Sequence, residues 1–247
     1  MNIKIKMLYI ILFIIICIQF VYDIQPYVFA MQTSKQSELD KIPSIIEDGW
    51  SNYFKGTRIL FNDTDCIRFL EKYYDREYVD KYNQIKLGAH KADLFRYAWL
   101  YINGGIYCDI KTVLIKPLED IFYDNRCAYF VKTGKTRIYN GIIATPPRNP
   151  IIFDLLTNVF EFYNDDEYLT IVQNGYTILS KYVDRTIHLG YNKTMYAHVP
   201  DFVMFEESYF TPNHCNNNVD RHNVCSFMTD GVRNKMIKIR EHTYPNW

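Results

Sequence analysis

The chain has 247 residues, 28 Lys and Arg against 28 Asp and Glu, and 48% hydrophobic residues. This profile excludes a disordered or collagen-like polymer and fits one globular domain. A formal net charge of zero removes the electrostatic reason to expect nucleic-acid binding, because a surface that tracks phosphates carries a marked basic excess.

In chain order, Lys4 and Lys6 precede an uncharged run from Met7 to Tyr22, which Asp23 ends. A helix over that run is about 24 Å long, short of the ~30 Å hydrocarbon core unless flanking residues help. Residues 1–30 therefore read as a targeting segment of one of two kinds. One is a signal peptide cut after Ala30, with Val28 completing the cleavage spacing. The other is an uncleaved signal anchor of a single-pass type II membrane protein. Either sends the rest of the chain to the lumenal side of the secretory pathway or outside the cell. Residues 31–42 read as a short polar stem and 43–247 as the domain.

Six cysteines suit that compartment, although Cys17 lies in the apolar run and leaves the odd set Cys66, Cys108, Cys127, Cys215 and Cys225. Cys215 and Cys225 enclose a polar loop and are the candidate disulfide, the alternative being two unpaired thiols. Asn62-Asp63-Thr64 and Asn192-Lys193-Thr194 are glycosylation acceptors, with Asn62 and Asn192 as the modified residues.

Thr57 to Phe61 reads as a strand, and Asp65 to Tyr74 has helical spacing. Ala89 to Ile102 is the strongest helix, stopped by Asn103-Gly104-Gly105, whose residues tolerate the positive φ of a C-cap. Ile106 to Asp109, Tyr129 to Val131 and Ile142 to Ala144 follow as strands, and Pro146, Pro147 and Pro150 break the chain before a helix over Ile151 to Tyr163. Alternation of helices and strands predicts an α/β domain with a largely parallel sheet.

Chemistry-bearing residues concentrate between 91 and 112. Asp93 and Arg96 are three apart and share a helix face, where a carboxylate accepts and a guanidinium donates to neighbouring hydroxyls of a polyol. The plain alternative is an i,i+3 ion pair. Asp109 stands at the carboxyl end of a strand, where open α/β sheets bind ligands; its plain alternative is a turn cap. Lys111 points the same way if the chain stays extended. Glu206 and Glu207 form a second acidic pair.

Ala92, Asp93, Arg96, Tyr97, Leu100, Tyr101, Gly104, Gly105, Ile106, Tyr107 and Asp109, in that order and without gaps, resemble the glycosyltransferases whose sugar-binding region contains a D-x-D motif. These include yeast initiating mannosyltransferases and bacterial capsular transferases. Tyr139-Asn140-Gly141 adds a weaker match. The resemblance implies a GT-A fold, a Rossmann-like nucleotide-sugar-binding domain, and transfer of a hexose from a nucleoside diphosphate to a glycan or other acceptor with retention of anomeric configuration. It implies that Asp93, Arg96, Tyr97, Gly104, Gly105 and Asn140 surround the donor, and that Asp109 contacts the ribose and a metal-bound diphosphate, the metal being manganese or magnesium. His242 with Trp247 loosely resembles a further metal-side element of the family. The departure is Lys111, which stands where the family has its second motif aspartate. An ammonium there either supplies the positive charge itself, leaves the metal to Asp109 and a distant group, or marks a catalytically silent module that keeps the fold and still binds sugar nucleotides or glycans.

Overall fold

The structure is a computed structural model that describes residues 25–162, 168–210, 225–231 and 235–239, together with Ile10. The apolar run apart from Ile10, the Cys215–Cys225 pairing, His242 and Trp247 fall outside the described residues. Among the described residues no helix is long and apolar enough to cross a membrane.

The elements run in the order β1 (Phe29–Thr33), α1 (Gln36–Leu39), α2 (Ser44–Tyr53), β2 (Thr57–Phe61), α3 (Asp63–Tyr73), α4 (Arg76–Gln84), α5 (Gly88–Asn103), β3 (Gly105–Cys108) and β4 (Val113–Leu114). Then come α6 (Leu118–Ile121), β5 (Ala128–Thr133), β6 (Arg137–Ile138), β7 (Ile142–Thr145), α7 (Pro150–Phe162), α8 (Tyr168–Ser180), β8 (Gly190–Asn192), β9 (Phe202–Phe210), β10 (Cys225–Thr229) and β11 (Lys235–Lys238). The strands form one sheet in the order β2-β1-β3-β7-β5-β9-β10-β11-β4, with β6 on β5 and β8 on β9. The domain is thus a mixed α/β fold.

Two expectations change. The sheet is mixed rather than largely parallel: β1 is parallel to β2 and β3, and β5 to β9, whereas β7 runs against β3 and β5, and β10 against β9 and β11. Short links such as those between β5, β6 and β7 return the chain antiparallel, since a parallel neighbour needs a long crossover. The boundary read after Ala30 falls inside β1, where Ala30 and Met31 are fully buried. Residues 31–33 belong to the sheet and not to a stem, and α1 takes up four of the residues between β1 and α2.

Strand alternation sorts the core onto the two faces of the sheet. Met31, Tyr107, Phe130, Ile143 and Met204 face a cluster with residues of α3, α4, α5, α7 and α8. Ala30, Ile106, Cys108, Val131, Ile142 and Phe205 face a second cluster around Ile46 and Trp50 of α2. Burial pushes the Cys66 thiol up to about 12 and raises the Cys108 thiol as well. Asn62 caps α3 by accepting from the Asp65 amide at 2.9 Å, while Asp65 accepts from the Asn62 amide at 3.3 Å.

Candidate active site

Helix α5 ends because Gly104 adopts φ 64°, its amide donating to the Leu100 carbonyl at 2.8 Å, and Gly105 follows at φ 99°. A Cβ on Gly104 would lie 2.6 Å from the Pro147 nitrogen, and one on Gly105 would lie 2.9 Å from the Phe29 carbonyl oxygen. Both positions require glycine for backbone reasons. They sit at the amino end of β3, four residues and about 13 Å of strand from Asp109. The structure therefore separates Gly104 and Gly105 from the remaining predicted site residues.

Asp93, Arg96, Asp109 and Asn140 come together at the other end. The Asp109 amide donates to the Gly141 carbonyl at 2.8 Å, which fixes the end of β3 against the start of β7. Arg96 Nε lies 3.3 Å from Asp93 Oδ1 and donates to the Ala92 carbonyl at 3.1 Å; Nη1 donates to the Asn140 carbonyl, and Nη2 lies 3.5 Å from Asp109 Oδ1. Asn140 Nδ2 donates to Asp93 Oδ1 at 3.4 Å. The guanidinium also stacks on the Tyr107 ring, 4.1 Å from its centroid. Burial disfavours the Arg96 charge, but the Tyr107 ring face and the Asp93 and Asp109 carboxylates outweigh it and hold the guanidinium charged. Burial likewise keeps the Tyr107 phenol protonated, with Arg96 opposing.

Each Arg96 nitrogen faces a protein acceptor and the residue is buried, so its guanidinium links Asp93, Asp109 and the Asn140 carbonyl. Tyr97 is also buried and packs in the helix-side core. The most exposed member of the cluster is Asp109, whose side chain is 25% exposed. Its Oδ1 accepts from the Tyr107 hydroxyl at 2.9 Å and its Oδ2 from the Tyr139 hydroxyl at 3.1 Å. The carbonyl of Asp109 accepts from Gln32 Nε2 at 3.0 Å, and Gln32 Oε1 accepts from Arg58 Nε at 2.6 Å, which ties β1 and β2 to the site.

The chain does not stay extended after Asp109. The Thr112 amide donates to the Asp109 carbonyl at 2.9 Å and closes a turn that carries the half-buried Lys111. Among the described residues no hydrogen bond or ion pair engages its ammonium. Glu207 is buried in the carboxyl half of β9, and among the described residues its Oε1, like Thr112 Oγ1 and Ser226 Oγ, has no hydrogen-bond partner.

The roles of Tyr107, Tyr139 and Gln32 were not legible from spacing. Tyr107 and Asp109 are two apart on a strand, a relation that puts both on one face, and this was the available signal. Gln32 sat in the supposed stem and offered none.

A divalent cation in the family manner does not fit this donor set. Both Asp109 oxygens already accept from phenols, Arg96 supplies a positive charge beside them, and position 111 carries an ammonium. Among the described residues no three His, Cys, Asp or Glu side chains gather to hold a metal. Of the two sequon residues, Asn192 is buried with Nδ2 donating to the His188 and Gly190 carbonyls, whereas Asn62 is half-buried with Nδ2 donating to Gln36 Oε1.

Residues 17–128 match the sequence model of the glycosyltransferase sugar-binding region containing DXD motif. The chain is 36% identical over 139 residues to an uncharacterized glycosyltransferase of Acanthamoeba polyphaga mimivirus, covering 53% of this chain and 55% of that one. It is 32% identical over 88 residues to the initiation-specific alpha-1,6-mannosyltransferase of Candida albicans, covering 35% and 23%. It is 23% identical over 151 residues to the inositol phosphoceramide mannosyltransferase 1 of Schizosaccharomyces pombe, covering 53% and 46%. The chain spans about half or less of the length of these curated relatives. A solved structure, PaToxG glycosyltransferase, superposes with a TM-score of 0.48 at 16% identity, covering 64% of this chain and 70% of that one. Over the matched residues the chain is similar to glycosyltransferases whose sugar-binding region contains a DXD motif.

Proposed function

We propose that the domain is a GT-A glycosyltransferase that moves a hexose from a nucleoside diphosphate to a glycan or other glycoconjugate acceptor, with retention of anomeric configuration. The observation that carries this reading is Asp109, inside the region that matches the family: a partly exposed carboxylate at the carboxyl edge of the sheet, oriented by Arg96, Tyr107 and, from beyond that region, Tyr139. A carboxylate fixed in this way accepts hydrogen bonds from ribose or sugar hydroxyls without reorganising, which is how a preorganised site favours a bound geometry. As the donor's glycosidic bond breaks, negative charge grows on the departing diphosphate. Lys111, on the turn beside Asp109 and not engaged by a described carboxylate, is the cation offered to it. Manganese or magnesium then contributes less than in relatives with two motif aspartates.

The test incubates the full chain with a panel of nucleoside-diphosphate sugars and reads nucleotide release with manganese and with chelator. Wild type is expected to retain most of its activity in chelator. Lys111→Ala weakens donor binding at saturating metal, and Lys111→Asp raises metal dependence. Complete loss in chelator, with unchanged donor binding by Lys111→Ala, would make the lysine a bystander. Donor binding without nucleotide release under every condition favours the second reading, a catalytically silent binding module, for which Lys111 is again the motivating feature.

The secretory reading rests on the apolar run and its preceding lysines. A cut after Ala30 would divide β1, so the retained anchor of a type II protein is the form that keeps the sheet whole. Of the two sequons, Asn62 is expected to carry glycan and Asn192 to stay unmodified, because the Asn192 amide is buried and hydrogen-bonded. A mobility shift on deglycosylation that Asn62→Gln abolishes checks this; modification of Asn192 alone overturns it.

A further inference from the structure

We infer that the amino edge of the sheet is a bilayer-contact face, on which the domain rests with its donor site turned away from the lipid. This inference rests on reading the apolar amino-terminal run as a membrane anchor, and adds which surface of the folded domain meets the membrane.

The first described residues of the continuous chain enter along this edge. The Asn125 amide donates to the Gln25 carbonyl at 2.8 Å, the Tyr27 amide to the Phe122 carbonyl at 3.2 Å, and the Tyr27 hydroxyl to the Cys127 carbonyl at 2.7 Å. The apolar run of residues 7–22 thus joins the domain within a few residues of the segment that leads into β5. A tether this short holds the entry point near the membrane.

Large apolar side chains stand exposed around that entry. Val28, Phe29, Tyr123, Tyr191, Met195 and Tyr196 are each between 43% and 62% exposed. Strand direction assigns them to one edge: Phe29 begins β1, Tyr123 lies in the segment before β5, and Tyr191 sits opposite Val203 near the start of β9. The next segment is held there by the Thr194 amide, which donates to Asp201 Oδ1 at 2.8 Å, while the Ala128 amide donates to the Asp201 carbonyl at 2.9 Å. Tyrosines with an apolar body and a polar tip are the side chains that settle at the headgroup boundary. Two acidic groups at this edge are engaged, Asp124 by Arg126 and Asp201 by Tyr191 and Thr194, and the exposed Lys193 and His198 lie in the same segment as Met195 and Tyr196.

The experiment reconstitutes the full chain in phosphatidylcholine vesicles. A fluorescent amino acid replaces Met195 or, as control, the exposed Lys135 of the β5–β6 turn at the opposite edge. A headgroup nitroxide lipid is the quencher. Quenching at 195 is expected to exceed that at 135 severalfold, and Tyr191→Ser with Tyr196→Ser is expected to halve it while the protein still floats with the vesicles. Equal quenching at both positions in a floating protein overturns the contact face and leaves the anchor standing. A chain that does not float overturns both. Nucleotide release, measured in detergent on the same variants, reports separately on the transferase reading.

Discussion

The two ends of strand β3 use the same contiguous stretch of sequence for different purposes. At the amino end, Gly104 and Gly105 satisfy backbone geometry, with positive φ and close approach to Pro147 and Phe29. At the carboxyl end, Asp109 meets Tyr107, Tyr139, Arg96 and the Gly141 backbone. A gap-free motif therefore does not mark a contiguous site. Half of it builds the turn that aims the helix, and the other half is what the helix and strand are aimed at.

The largest expected effect comes from removing the cation at the carboxyl end. Arg96→Ala leaves two carboxylates, one fully buried, without their shared partner, and breaking a buried pair from one side costs about 3–5 kcal/mol. For a domain of this size the melting temperature should fall by on the order of 10 °C. Arg96→Lys retains the charge but loses the planar fork, and should recover part of the stability while donor KM stays raised. Unchanged melting of Arg96→Ala would return the residue to a ligand-facing role.

Glycine substitutions separate the two ends further. Gly104→Ala forces a side chain onto φ 64° with a Cβ 2.6 Å from the Pro147 nitrogen, a strain of roughly 1–3 kcal/mol, but should leave kcat per folded molecule near wild type. Gly141 needs no unusual backbone, yet a Cβ there would lie 2.5 Å from Asp109 Oδ2 and overlap the Tyr139 hydroxyl. Gly141→Ala should lower activity at least tenfold with a smaller loss of stability. Thermal melts and nucleotide-release rates on the two variants read the crossover; if both lose stability and activity in the same ratio, the separation of the ends is wrong.

Helix α5 and strand β3 were legible because an apolar helical stretch met Asn-Gly-Gly and then a short β-branched and aromatic run. The i,i+3 relation of Asp93 and Arg96 was legible too, but their burial was not, since a charged pair on a helix is usually solvated. That burial is what makes the stability of Arg96→Ala informative about the role of Arg96. Strand direction was hidden because alternation identifies strands without naming partners. Strand β1 was hidden because Val28 and Ala30 also have the spacing of a cleavage site, and because Gln32 and Thr33 read as polar linker until Gln32 is seen to donate to the Asp109 carbonyl.

The smallest effects distinguish the two phenols on Asp109. Tyr107→Phe removes a buried donor at 2.9 Å but keeps the ring under Arg96; Tyr139→Phe removes a donor at 3.1 Å from a half-buried ring. A hydrogen bond to a charged group contributes about 1.5–3 kcal/mol when no replacement is available, and less where water can enter. At Oδ1 the Tyr107 ring and Arg96 fill the surroundings, so the lost donor stays unreplaced. At Oδ2 the partner ring is only half-buried and the Asp109 side chain is 25% exposed, so water is expected to take the place of the Tyr139 hydroxyl. Tyr107→Phe is therefore expected to lower the melting temperature by a few degrees and raise donor KM several-fold, whereas Tyr139→Phe should change melting within error and KM by about twofold. Donor titrations and melts on both variants rank the two contacts. The reverse ranking would mean that solvent reaches the Arg96 side of Asp109, and that the site opens under helix α5 instead of beside β7.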